Sequence, residues 1–116
     1  MAAFQTTTDG PIKILTMTGR LEPMGWKDLK DTMNVLTETE EKADLLVDLE
    51  GLEYMASAGF RELFLAGRKL GRNGGRLVVC SLRGEVQRIF ELAKFDTAYP
   101  IFEDRRAALD FLKGAA

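Results

Sequence analysis

The sequence predicts an α/β domain: a mixed, largely parallel sheet of about five strands with about four helices. Three observations carry this. Apolar runs of strand length (Ile12 to Thr18, Asp44 to Leu49, Arg76 to Cys80) are separated by stretches in which apolar residues recur at helical spacing. After an N-terminal hairpin, strand and helix alternate, which implies parallel pairing with right-handed crossovers. The 116 residues, 46% hydrophobic and 29% charged, suit a single domain over residues 1–116 with one core.

The elements follow in order. Asp9-Gly10 is a good hairpin turn because both residues tolerate positive φ, and it joins strands at Phe4 to Thr8 and Ile12 to Thr18. The second strand is apolar on both faces, with Ile12 and Ile14 opposite Leu15 and Met17, as expected inside a sheet. Gly19 to Gly25 reads as a loop, and a helix is expected to start at Pro23 or Met24, since proline suits a first helical turn. Trp26, Leu29, Met33 and Leu36 form its buried stripe, and the polar run Glu38 to Lys42 ends it.

A short strand, Asp44 to Leu49, leads into a seam, Tyr54-Met55-Ala56-Ser57-Ala58-Gly59-Phe60. A second helix is expected from Ala58, with Phe60, Leu63, Phe64, Gly67 and Leu70 inside and Arg61, Glu62, Arg68 and Lys69 outside. Asn73-Gly74-Gly75 can stop it through left-handed backbone. Arg76 to Cys80 is the next strand. Val86, Ile89, Phe90 and Ala93 mark a third helix. Tyr99 to Phe102 is a short strand that Pro100 assigns to an edge, and Ala107, Ala108, Phe111 and Leu112 close with a fourth helix.

Composition excludes several chemistries. No histidine is present, which removes His-based triads, His-ligated metals and a His phosphorelay. The one cysteine, Cys80, cannot form an internal disulfide and reads as a buried small hydrophobe. No cofactor and no metal set is expected. A net charge of −2 with mixed signs argues against nucleic-acid binding. No apolar run reaches the ~20 residues of a membrane span, so no direct membrane insertion is expected. The N-terminus lacks the basic start and apolar core of a signal peptide, and the expected location is cytoplasmic. Asp48, Glu50 and Glu53 near the seam read as solvated charges, and Gly71 to Arg76 as a turn lacking the lysine and following helix of a phosphate loop.

Ser57 admits two readings. As the N-cap of a helix starting at Ala58, its hydroxyl would accept a bond from the amide of Gly59 or Phe60, a contribution of about 1 kcal/mol that needs no function. The same position is a strand end followed by a helix start, where partners usually meet parallel sheets. A phosphate there would face unpaired N–H groups and a partial positive charge. It would place about −1.5 to −2 charge on a patch formed by Tyr54, Met55, Ala56, Ala58 and Phe60.

The stretch Val47 to Phe102, "VDLEGLEYMASAGFRELFLAGRKLGRNGGRLVVCSLRGEVQRIFELAKFDTAYPIF", resembles the STAS domain of bacterial anti-sigma-factor antagonists. There, an apolar strand leads to an Asp-Ser-Ser/Thr-Gly motif that starts a helix, then a Gly-Gly turn and a strand. Thr18-Gly19-Arg20-Leu21-Glu22 is similar to that family's Thr-Gly-Glu-Leu-Asp loop. The resemblance implies a STAS-like fold and a regulatory binding protein, not an enzyme. It implies an anti-sigma factor serine kinase as the partner, phosphorylation of Ser57 as the event that breaks the complex, and a phosphatase that resets it. It implies a partner surface drawn from Gly19, Glu22, Met24, Tyr54, Met55, Ala56, Ala58, Gly59, Phe60 and Arg61, in a monomer or weak dimer. The motif aspartate is Ala56 here, and Ala58 follows the acceptor. A constitutive STAS module, associated with a membrane transporter ATPase or a signalling assembly and lacking a phosphoswitch, is the alternative.

Overall fold

The computed structural model describes residues 1–38 and 41–114. Five strands, β1 (Ala2–Asp9), β2 (Ile12–Leu21), β3 (Asp44–Met55), β4 (Leu77–Cys80) and β5 (Ile101–Phe102), lie side by side in chain order. The β1–β2 pair is antiparallel and every later pair is parallel, with one helix after each of the last four strands. These are α1 (Trp26–Thr37), α2 (Ser57–Gly71), α3 (Gly84–Leu92) and α4 (Arg105–Leu112). The expected mixed, mostly parallel α/β architecture is therefore present, with β2 interior and β5 at an edge.

Alternation along the strands splits the core in two. Leu15, Met17, Leu45, Val47 and Leu49 face α1, α2 and α3. Ile12, Ile14, Leu46, Val78 and Cys80 face α4 through Ala108 and Leu112. Period-two burial on both faces is why these strands read as continuous apolar runs. A chain of tilted rings, Phe60–Phe90–Phe95–Phe64, runs through the first core with neighbouring centroids 4.5, 4.8 and 5.0 Å apart.

Several boundaries differ from expectation. The hairpin turn is Gly10-Pro11, with Gly10 at φ +59° and Asp9 still paired to Ile12. Gly19 to Leu21 belong to β2, not to a loop, and β3 runs on through Glu50 to Met55. The charged residues that make this part of β3 look like loop, Glu50 and Glu53, are exposed, while Leu52 and Met55 stay buried. Between Pro23 and Gly25 the chain makes a single 3-10 turn before α1. Of the polar run Glu38 to Lys42, Thr39 and Glu40 lie outside the described residues. Glu62, expected outside, is buried on α2.

One side chain clasps three elements. The Arg76 guanidinium meets Asp44 at the start of β3 (2.8 Å) and donates to the Leu112 carbonyl at the end of α4 (2.9 Å). Its bond to Asp44 raises its pKa further.

Candidate functional site

The end of β3 sets the position of Ser57. Two register shifts give β3 one extra residue each against β2, between Thr16 and Thr18 and between Gly19 and Arg20. Gly19, at φ +84°, supplies the backbone conformation at the second shift. The ladder then resumes with Arg20 opposite Tyr54 and Leu21 opposite Met55, and the Ala56 amide donates to the Leu21 carbonyl (2.8 Å). That bond fixes Ala56 in extended conformation (φ −70°, ψ 157°), so the helix starts at the next residue.

The N-cap of α2 is therefore Ala56, and the expected capping role of Ser57 is not found. Ser57 is the first helical residue, no side chain caps this helix, and the serine is exposed. Serine is a better cap than alanine in isolation. Here the β2–β3 ladder decides where the strand stops. The Gly59 amide bonds back to the Ala56 carbonyl (2.8 Å). Among the described residues no acceptor meets the amides of Ser57 and Ala58, which belong to the open first turn of a 15-residue helix. The exposed Arg61 lies one turn further along, at the i+4 spacing that places side chains over one another.

Leu21 locks this corner. A Cβ built on Gly25 would sit 2.9 Å from Leu21 Cδ1, and one on Gly59 would sit 2.7 Å from Leu21 Cδ2 and 2.7 Å from Met55 Cγ. The 3-10 turn and the start of α2 thus close on the same buried leucine, which brings Glu22 and Met24 beside the helix start. Arg20 stacks on Tyr54, its guanidinium carbon 4.8 Å from the ring centroid. Its 3.7 Å pair with Glu22 is exposed on both sides and contributes little. A cavity of about 260 Å³ opens alongside, lined by Phe4, Arg20, Leu21, Glu22 and Met24 among others.

The expected partner-binding residues divide by burial. Glu22, Met24, Ser57 and Arg61 are exposed, and Gly19, Tyr54 and Ala58 are partly so. Met55, Ala56, Gly59 and Phe60 are buried, so the anticipated apolar surface patch of Tyr54, Met55, Ala56, Ala58 and Phe60 belongs mostly to the core. The large apolar side chains that do face solvent here are Met24, 88% exposed, and Trp26, 38% exposed. Trp26 was expected in the core. Its spacing matches Leu29 and Met33, but the first residue of α1 lies beyond the neighbouring elements that cover them.

Of the three carboxylates near the seam, Glu50 and Glu53 are exposed as expected, with Glu50 paired to Arg83 at 3.2 Å. Asp48 is instead buried, bonded to Arg105 Nε of α4 at 2.8 Å and to the Glu50 amide at 3.1 Å. Arg105 also donates to Thr16 (2.9 Å). Cys80 is buried as expected, and burial pushes its thiol up to about 12. Among the described residues no group of three or more acidic or thiol side chains gathers as a metal set, and no helix is long and apolar enough to cross a membrane.

The exposed serine thus stands at the open start of a helix on the rim of a mixed, mostly parallel β1-β2-β3-β4-β5 sheet, which defines an α/β domain. A sequence profile described as STAS domain matches residues 3–108, and the chain belongs to the STAS domain family. Over 71 residues it is 35% identical to "Putative anti-sigma factor antagonist BtrV" of Bordetella bronchiseptica (strain ATCC BAA-588 / NCTC 13252 / RB50). The match covers 61% of this chain and 61% of that relative. An anti-sigma factor antagonist from Mycobacterium paratuberculosis superposes with a TM-score of 0.85 at 20% identity, over 97% of this chain and 95% of that one. The unphosphorylated form of the anti-sigma factor antagonist SpoIIAA superposes with a TM-score of 0.82 at 16% identity, over 98% and 99% of the two chains. The phosphorylated form of Bacillus SpoIIAA superposes with a TM-score of 0.74 at 15% identity, over 95% and 99%. These superpositions show a shared fold.

Proposed function

We propose that the chain is an anti-sigma factor antagonist whose partner is an anti-sigma factor with serine kinase activity. The unmodified protein binds that partner through the rim formed by Glu22, Met24, Trp26, Tyr54 and the first turn of α2. Phosphorylation of Ser57 ends the complex, and a phosphatase restores it. The observation that carries this reading is the exposed Ser57 hydroxyl at a helix start whose Ser57 and Ala58 amides have no acceptor among the described residues.

The physical sequence is short. The serine oxygen attacks the γ-phosphorus of ATP held by the partner, ADP leaves, and the hydroxyl proton passes to solvent or to a base of the kinase. The domain supplies only the acceptor. The phosphoryl group then lies where N–H dipoles favour an anion, with Arg61 one turn away, so the domain keeps its fold. A partner seated on this rim would have to desolvate about −1.5 to −2 charge beside Met24 and Trp26. That penalty is comparable to the difference between a tight and a weak complex.

The test is incubation with an anti-sigma factor kinase from the same organism and ATP, followed by intact-mass measurement. A single phosphate that is lost in Ser57→Ala supports the switch. A stable complex indifferent to ATP would replace it with a second reading, favoured by Ala56 standing where the family motif has aspartate: a constitutive module of a transporter or signalling assembly, with Ser57 only starting the helix.

A further inference from the structure

The far edge of the sheet, away from the Ser57 rim, carries a groove that this function does not use. It has a volume of about 760 Å³, within the ~300–1,000 Å³ range of occupied sites, and runs between α3 and β5. Leu82, Ile101 and Phe102 contribute apolar surface to it, with the buried Phe90 beneath. Its charged side chains are Glu91, Asp96 and Glu103 against Arg83, and Arg83 is already engaged by Glu50. The groove is thus acidic around an apolar floor.

The backbone of β5 defines what shape fits. The carbonyls of Pro100 and Phe102 accept from the amides of Val79 in β4 and of Ser81 just after it (both 3.1 Å). By strand alternation, the N–H and C=O of Ile101 between them point away from β4, at a sheet edge that no other strand among the described residues covers. Among the described residues neither group has a partner. A free strand edge beside a helix-walled groove is the geometry in which extended peptides add to a sheet, with main-chain bonds for affinity and side-chain pockets for specificity.

We propose that this groove binds an extended segment of a protein partner that pairs with Ile101, seats an apolar residue on Leu82 and Ile101, and sets lysine or arginine residues against Glu91, Asp96 and Glu103. This site is independent of the phosphoserine switch, and Ser57→Ala leaves it unchanged.

The probe is a capped peptide, Ala-Lys-Val-Arg-Val-Lys-Ala, titrated into the ¹⁵N-labelled chain. The expected result is saturable shifts of the Ile101, Phe102, Glu91 and Glu103 amides. Binding should weaken about tenfold in the E91Q/D96N/E103Q variant, since three exposed charge pairs are lost. It should also weaken as salt rises. The variant touches only exposed side chains, so an unchanged amide spectrum elsewhere certifies its fold. Any of the following would overturn the proposal: no shifts up to millimolar peptide; equal binding of a peptide with glutamate in place of lysine and arginine; shifts confined to the Ser57 rim or to β1; or shifts of the Glu91, Asp96 and Glu103 amides with spermidine as large as with peptide and none at Ile101, which would make the groove a small-polycation site. Concentration-dependent shifts of the same amides without peptide would assign the edge to a second copy and overturn it equally.

Discussion

Substitution of Gly59 by alanine tests how the corner around Ser57 is built. The added methyl carbon would sit 2.7 Å from both Leu21 Cδ2 and Met55 Cγ, closer than carbon atoms approach without movement. Both side chains are buried at the ends of paired strands, so relief requires rotamer changes or a shift of the α2 start. Overpacking of this kind costs about 1–3 kcal/mol. Alanine returns up to about 1 kcal/mol of helix propensity in a helix interior, and less in a first turn. The net expectation is a loss of about 1–2 kcal/mol, read by urea unfolding followed by circular dichroism. For a chain of this size that corresponds to a melting temperature lower by roughly 5–15 °C. Leu21→Ala alone should cost about 2–5 kcal/mol. The double variant should cost less than the sum by about 1 kcal/mol, because one change vacates the space the other fills. A stabilised Gly59→Ala, or strict additivity in the cycle, would refute the claim that Leu21 holds the 3-10 turn and the helix start together.

Ser57→Asp should leave the melting temperature unchanged or raise it, since a carboxylate in a first helical turn contributes about 0.3–1 kcal/mol. It should weaken partner binding at least ~10-fold by titration calorimetry, an effect of about 1.4 kcal/mol; equal affinities would count against the switch. Arg105→Ala should destabilise by about 3–5 kcal/mol because it leaves the buried Asp48 carboxylate without its cation. Asp48→Ala should cost less, since the freed guanidinium is 41% exposed and can turn to water, and the reverse order in chemical unfolding would contradict the packing described. The Cys80 thiol has its pKa raised to about 12 by burial, from 9.0. Its folded form therefore holds a proton that the unfolded form loses, and stability is lost as pH rises from about 9 through 12. Cys80→Ala should show a shallower decline over that window, and the native thiol should resist disulfide exchange until the chain unfolds.

What the sequence disclosed, and what it withheld, follows from the range of each interaction. Leu29, Met33 and Leu36, or Val86 and Phe90, announce helices because their burial depends on local period. The order of strands and helices followed from the same signals. The true start of α2 did not, because a bond from Ala56 to Leu21, distant in the chain, overrules the capping preference of serine. The last half of β3 is hidden by Glu50, Gly51 and Glu53, exposed at irregular spacing because two register shifts against β2 break the period-two pattern. Met55 and Ala56 read as part of a surface patch because the seam looks like a connection, whereas β2 and β3 stay paired up to the helix start and bury both. The Asp48–Arg105 pair spans two distant segments, and no spacing rule reveals it. Trp26 shows the limit of periodicity: the pattern finds a face, but not how far neighbouring elements extend to cover it.

The clasp formed by Arg76 bears on how the chain tolerates trimming. Among the described residues α4 is the helix that shingles the apolar surface of Ile12, Ile14, Leu46 and Val78, and Arg76 ties the Leu112 carbonyl at its end to the first residue of β3. A tail that merely trailed from the domain could be clipped harmlessly. Here a cut before Arg105 would strip the roof from one side of the sheet and unseat Asp48 together, so proteolysis in the segment leading into α4 should yield aggregated rather than shortened protein.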